Sequence, residues 1–121
     1  MPYRILIADQ NSEMRSRIRF FFEEAGWEVI GEASDGQEAV DKARELSPDL
    51  VTLDISMRVK NGLEAAGEIF KSSPRIKVLI LTIHEAEEIR NQALRAGVHG
   101  YALKTSSGPE LVEQVRKVLA S

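Results

Sequence analysis

The sequence predicts an α/β fold: an open five-stranded parallel sheet in the order 2-1-3-4-5, with five helices spread over both faces. Three observations predict it. Strand-like and helix-like periodicities alternate five times along the 121 residues. Two of the strand-like runs, Leu50–Leu53 and Val78–Leu81, are short and apolar apart from Thr52, as parallel strands buried on both faces are. Five units suit an open sheet with right-handed crossovers better than a barrel, which needs eight, and 2-1-3-4-5 is the natural order for it.

Each element has a local reason. Tyr3 to Ala8 forms the first run, after which Asn11 or Ser12 can cap a helix with Met14, Ile18, Phe21, Phe22 and Ala25 on one face, stopped by Gly26. Trp27 lies at the end of that helix. Glu28 to Ala33 leads through Ser34-Asp35-Gly36 into a helix with Ala39, Val40, Ala43 and Leu46 inward, ended by Ser47-Pro48. After Leu50–Leu53, a loop to Asn61-Gly62 precedes a helix with Leu63, Ala66, Ile69 and Phe70 on its apolar face, closed by Ser72-Ser73-Pro74. Val78 to Leu81 is followed by a helix carrying Ile89, Ala93 and Leu94 up to Gly97, with Thr82 and Glu85 as a candidate capping box. Tyr101 to Leu103 leads into Ser107-Gly108-Pro109-Glu110, a capping box with an early-turn proline, and Leu111, Val112, Val115, Val118 and Leu119 then share one face.

Composition narrows the function classes. No linker or low-complexity stretch divides the chain, so residues 1–121 are expected to form a single domain large enough to bury about two-thirds of its unfolded surface. The absence of cysteine removes disulfides, thiolate metal sites and cysteine nucleophiles, and suits a reducing, cytoplasmic setting. No apolar run approaches the ~20 residues of a membrane span. A net charge of −3 with acids and bases interspersed argues against direct DNA binding by this segment.

The functional signal lies where the runs stop. They end at Asp9, Asp54, Thr82 and Lys104, and in an open parallel sheet those positions share the carboxyl edge where ligands bind. Singly, Asp9 and Asn11 can be helix caps, Asp54 a turn former, Thr82 an N-cap and Lys104 a solvated strand end. Jointly, one location explains all four. Asp9 and Asp54 are hard oxygen ligands for a cation such as Mg²⁺, Lys104 is a compact positive charge for a phosphoryl oxygen, and Thr82 offers a hydroxyl that can turn toward an anion. A carboxylate in the place of Asp54 is a competent nucleophile toward an activated phosphoryl donor.

Over its whole length the chain resembles a response-regulator receiver domain of two-component signalling. The resemblance rests on Ile5-Leu6-Ile7-Ala8-Asp9, Val29-Ile30-Gly31-Glu32-Ala33-Ser34-Asp35-Gly36, Leu53-Asp54-Ile55-Ser56-Met57, Asn61-Gly62-Leu63-Glu64-Ala65, Leu81-Thr82-Ile83-His84 and Gly100-Tyr101-Ala102-Leu103-Lys104. The Gly-Glu-Ala-Ser-Asp-Gly and Leu-Thr-Ile-His stretches are similar to receivers that precede a LuxR-type (NarL/FixJ-like) output domain. The resemblance implies a flavodoxin-like fold and a phosphoprotein that accepts a phosphoryl group on Asp54 from a sensor histidine kinase. It implies Mg²⁺ held by Asp54, the Ser56 backbone carbonyl and the acidic pair after the first strand, Lys104 as phosphate contact, and Thr82 and Tyr101 as coupled switch residues. A receiver of this kind is a self-phosphorylating signalling domain, with at most slow autophosphatase activity. Its partners would be the kinase, a second copy of itself, and DNA only through an output domain that this chain does not contain. The output would be transcription control, through a surface made by the helix from Glu85 to Ala96, the Tyr101 strand and the helix from Glu110 to Leu119.

Two departures bear on that reading. Gln10 stands where receivers usually carry a second acid, which predicts weak Mg²⁺ binding because a neutral carbonyl replaces one anionic ligand. Arg58 stands where these domains usually carry proline, and with Lys60 it places two positive charges on the loop behind the nucleophile, either as a solvated loop or as a partial substitute for metal charge. Thr105 likewise follows Lys104 where many receivers have a cis proline. A second reading, a degenerate receiver that dimerises without phosphorylation, rests on Gln10 and Arg58; a third is a stand-alone phosphoryl relay. Other classes fail on single residues: Gln37 stands where a P-loop needs lysine, Asp9 would repel an FMN phosphate, and Ser56 stands where a haloacid-type phosphatase has its general acid. His84 and His99 lack a partner at metal-ligand spacing and read as ordinary loop residues.

Overall fold

A computed structural model describes residues 2–83 and 86–121. Ten elements alternate along the chain: β1 (Arg4–Ala8), α1 (Ser12–Glu24), β2 (Glu28–Ala33), α2 (Gly36–Leu46), β3 (Leu50–Leu53), α3 (Gly62–Ser72), β4 (Lys77–Thr82), α4 (Glu87–Arg95), β5 (Gly100–Leu103) and α5 (Gly108–Ala120). The strands form one parallel sheet in the order β2-β1-β3-β4-β5, as the sequence predicts.

Strand alternation sorts the core into two layers. Ile5, Ile7, Leu50, Leu79 and Leu81 face one side and pack on Ile18 and Phe22 of α1 and on Leu111, Val115 and Val118 of α5. Leu6, Ala8, Val51, Leu53, Val78 and Ile80 face the other and meet Ala39, Val40 and Ala43 of α2, Ala65, Ala66 and Ile69 of α3 and Ala93 of α4. The small side chains of α2 and α3 let these helices lie close to the sheet.

Helix ends follow side-chain chemistry. The side chains of Asn11, Asp35, Asn61 and Ser107 each accept a backbone N–H from the first turn of the helix they cap, and Asn61–Glu64 and Ser107–Glu110 are complete capping boxes. At α4 the expectation fails: Thr82 belongs to β4, the N-cap is Ala86 without a side-chain bond, and α4 starts at Glu87. Glu85, and His84 beside it, lie outside the described residues. Leu94, expected on the inner face, is 48% exposed, because α4 is short and turns only Ala93 fully inward. Trp27 lies beyond the Ala25 C-cap, between α1 and β2, with its ring 5.5 Å from that of Phe22 and the Arg116 guanidinium 5.6 Å from its own centroid. Tyr3 precedes β1 and is exposed.

His99, read as a loop residue, has a structural role. Its backbone N–H donates to the Val78 carbonyl and its Nδ1 accepts the Val78 N–H at 3.1 Å, which extends the β4–β5 ladder. Partial burial and Lys77 push its pKa below the usual histidine value, which keeps Nδ1 free to accept.

Thr52, at the middle of β3 and 1% exposed, carries a buried hydroxyl with no hydrogen-bond partner among the described residues. An unmet buried hydroxyl costs about 1–3 kcal/mol. Thr52→Val keeps the shape and removes that cost, so we expect it to stabilise the protein by about 1 kcal/mol in urea denaturation.

Candidate functional site

Backbone hydrogen bonds carry the sheet pairing one step past its strands and set the site. Asp9 N–H donates to Ala33 O (3.0 Å), Asp54 N–H to Ala8 O (3.0 Å) and Lys104 N–H to Thr82 O (2.8 Å). Each functional residue is therefore pinned at the carboxyl edge by the strand beside it. Alternation then decides direction. Asp9 follows Ile5 and Ile7, Asp54 follows Leu50, and Lys104 follows Ala102, all on the α1/α5 side of the sheet.

The three side chains meet. Lys104 Nζ lies 2.5 Å from Asp9 Oδ2 and 3.1 Å from Asp54 Oδ2. Asp9 and Asp54 are 1% and 5% exposed, so one ammonium neutralises half of a buried two-carboxylate charge. Asp9 Oδ1 accepts the Asn11 N–H (2.8 Å), which excludes Asp9 as the helix cap, and Asp54 Oδ1 accepts the Ser56 N–H (3.2 Å). A cleft of about 540 Å³ opens over the pair, its wall including Gln10, Glu13, Met14, Arg17, Ser56 and Ile83. A cleft of similar size at the opposite edge of the sheet, around Tyr3, Pro48 and Pro74, gathers no such convergence.

Burial raises the Asp54 pKa above the ordinary 3.8 and the Asp9 charge adds to this, while the Lys104 contact and the Ser56 N–H pull it back. The folded protein therefore holds the Asp54 proton more tightly than the unfolded chain. Ionising Asp54 costs stability, and that cost appears as pH rises through the folded pKa.

The loop after Asp54 is tightly built. Val59 has φ +69°, and Lys60 N–H donates to Arg58 O at 2.7 Å, closing a three-residue turn of the rare positive-φ kind. The same Arg58 carbonyl accepts the Gly36 N–H, which ties the loop to α2. Gly62 lies so close to the Asp54 carbonyl that a Cβ there would stand 2.4 Å from its oxygen. Lys60 does not pair with Asp54: its ammonium pairs with Glu68 Oε2 at 2.5 Å. Arg58 is exposed and shares a shallow pocket with Gln10, Ser34 and Asp35. The Lys104–Thr105 bond is trans, since the described residues contain no cis peptide.

Thr82 and Tyr101 take the other side of the sheet. Thr82 ends β4, 1% exposed, opposite Leu103 of β5. Tyr101, half-buried, packs against the α2–α3–α4 layer and lines a groove with Ala86, Glu87, Arg90, Asn91 and Leu103. Burial raises its pKa and Arg90 partly offsets this. The sequence reading missed the arginines of α1. Arg15 donates to the Asp9 carbonyl and to Glu32, Arg19 reaches Glu32, and Arg17 reaches the loop after Lys104. The available signal was the Arg15-Ser16-Arg17-Ile18-Arg19 run directly after the Asp9 corner.

The family model for the response regulator receiver domain matches residues 5–116. The chain belongs to that family. It is 37% identical over 118 residues to the chemotaxis protein CheY of Thermotoga maritima, covering 98% of both chains. It is 39% identical to the response regulator protein VraR of Staphylococcus aureus over 97% of this chain, and spans 56% of that protein's length. Among solved structures, a LuxR-family two-component response regulator from Aurantimonas sp. SI85-9A1 superposes with a TM-score of 0.94 at 32% identity, covering 99% of this receiver and 86% of that chain. Both CheY-like and LuxR-type regulators are thus among the relatives of this receiver.

Two outcomes test the site geometry. Asp54→Asn should melt above the parent at neutral pH, with the gap closing as pH falls through the Asp54 pKa, because only the parent carries the cost of ionising that carboxyl; melting curves across pH check it. Val59→Gly relieves the positive φ of a β-branched residue that is 75% exposed and should stabilise the receiver by about 1 kcal/mol in denaturant titration.

Proposed function

We propose that this receiver takes a phosphoryl group onto Asp54 from a phosphohistidine of a sensor histidine kinase and thereby changes its affinity for a partner. One observation carries the reading: Asp54 is a buried carboxylate at the floor of an open cleft, with Lys104 Nζ 3.1 Å from its Oδ2. An Asp54 oxygen attacks phosphorus as the P–N bond of the donor breaks. The electron pair of that bond stays on the ring nitrogen of an imidazole protonated at its other nitrogen, so the ring leaves neutral. Lys104 balances charge on the phosphoryl oxygens. The domain acts as a signalling element with no substrate beyond its own aspartate, and any autophosphatase activity is slow.

The residues present fit a divalent cation. Oxygens of Asp9 and Asp54 already converge on a single positive group, Lys104 Nζ, which leaves one negative charge uncompensated. Among the described residues no three acidic or imidazole side chains gather, so the carboxylates need help from neutral oxygens. Mg²⁺ would be held by Asp9, Asp54 and the Ser56 backbone carbonyl, with Gln10 adding at most a neutral oxygen. When bound it supplies positive charge to the phosphoryl group. Affinity is weaker than an acid at position 10 would give.

The response passes through Thr82 and Tyr101. A phosphoryl dianion beside Lys104 draws the Thr82 hydroxyl inward, Tyr101 packs into the space released, and the α4–β5–α5 surface shifts its pre-existing equilibrium. Solved structures named as LuxR-family regulators support a homodimeric, transcription-controlling output, with DNA contacted only by a separate output domain. No helix among the described residues is long and apolar enough to cross a membrane, which accords with a cytoplasmic role.

Incubation with acetyl phosphate and Mg²⁺, followed by intact-mass measurement, tests the reading. One phosphoryl group should add to the parent and none to Asp54→Asn. Gln10→Asp should lower the Mg²⁺ concentration at half-maximal uptake by on the order of tenfold. No uptake by the parent with clear uptake by Gln10→Asp would instead make this a degenerate receiver, and uptake by neither would overturn the phosphoacceptor reading.

A further inference from the structure

We infer that Arg17 is a positioning residue for Lys104, holding from α1 the loop that aims the ammonium at Asp9 and Asp54. The inference rests on the phosphoacceptor reading for its kinetic consequence, and on geometry alone for its structural one. Arg17 extends one guanidinium nitrogen to the Lys104 carbonyl (3.1 Å) and the other to the Ser106 carbonyl (3.2 Å). A fork that takes two carbonyls of one turn fixes the orientation of that turn, which a point charge does not. The guanidinium also lies 5.2 Å from the centre of the Phe21 ring, one helical turn along α1, so its own direction is held by stacking.

Phe21 continues the link into α5. It packs so tightly on Gly108, the first residue of α5, that a Cβ there would stand 2.3 Å from its ring. Arg17 and Phe21 therefore grip both ends of the segment between β5 and α5 from a single helix. That segment needs a grip. Between the β5 ladder, which ends at the Lys104 N–H, and the Ser107 cap, its backbone makes one backbone hydrogen bond among the described residues, Ser106 N–H to Leu103 O. Thr105 adds no ring to stiffen it. Lys104 is a long side chain with much rotamer freedom to lose, so its precision over two buried carboxylates depends on how firmly its backbone is set. Arg17 also lines the cleft, and its two terminal guanidinium nitrogens are spent on the Lys104 and Ser106 carbonyls, so its role here is to position Lys104.

A double-mutant cycle decides the matter. Initial rates of phosphorylation by acetyl phosphate at saturating Mg²⁺ would be measured for the parent, Arg17→Ala, Arg17→Lys, Lys104→Ala and Arg17→Ala/Lys104→Ala, with melting curves as a check on folding. Arg17→Ala should lower the rate about tenfold in the parent and leave it unchanged in the Lys104→Ala background, and Arg17→Lys should recover only a minor part. An equal loss in both backgrounds, or no loss in the parent, overturns the inference. A second readout separates it from the phosphorylation reading: the Lys104 side-chain ammonium signal in ¹H–¹⁵N NMR. Its slow solvent exchange should be seen in the parent and lost in Arg17→Ala whether or not the receiver takes up phosphate. A signal unchanged by Arg17→Ala overturns the inference even where phosphorylation succeeds.

Discussion

Two carboxylates and one ammonium buried together are the constraint around which this receiver is organised. Burying Asp9 and Asp54 within reach of a shared cation is costly in a low-dielectric interior, and Lys104 alone leaves the group one charge short of neutral. A site in that condition has a charge deficit that a second cation would fill, as the proposed function requires. Its surroundings serve to keep it so: the Ser56 and Asn11 N–H groups steady the two carboxylates, and Gly62 lets the following helix close against the Asp54 carbonyl.

The sheet distributes roles by parity. Residues on one side of the sheet, Asp9, Asp54 and Lys104, gather under α1 and α5, while Thr82 and Tyr101 take the side of α4. The two sides adjoin at the short strand ends of β4 and β5, where Thr82 stands opposite Leu103. Asp9, Asp54 and Lys104 line a cleft and Tyr101 lines a separate groove, joined by two hydrogen-bonded strands, an arrangement that suits the proposed switch. Helix α4 has no side-chain cap at Ala86 and turns only Ala93 fully inward, so among the described residues few contacts anchor it.

Helix α1 is more than a cover for the sheet. One face supplies Ile18 and Phe22 to the core, and its basic residues hold the frame of the site, with Arg15 on the Asp9 carbonyl and Arg17 on the Lys104 loop. Lys60 illustrates the opposite lesson. Its position in the chain placed it behind the nucleophile, but a nearer carboxylate, Glu68 on α3, takes its charge.

Periodicity and end signals alone determined the five βα units, the strand order, the caps at Asn11 and Ser107 and the convergence of Asp9, Asp54 and Lys104, because these depend on local spacing and on the fixed handedness of parallel crossovers. Tertiary structure alone decided which of the local options won. Thr82 is a strand residue instead of a cap because pairing with Leu103 claims its backbone, Leu94 stays outside because α4 presents too narrow a face, and His99 becomes a hydrogen-bond acceptor because β4 passes beside it. The partners of Arg17, eighty-seven and eighty-nine residues away, lay beyond any window of local pattern. Contacts of that kind are made by packing one helix against a distant loop, and a sequence read segment by segment carries the charge but not the address it is sent to.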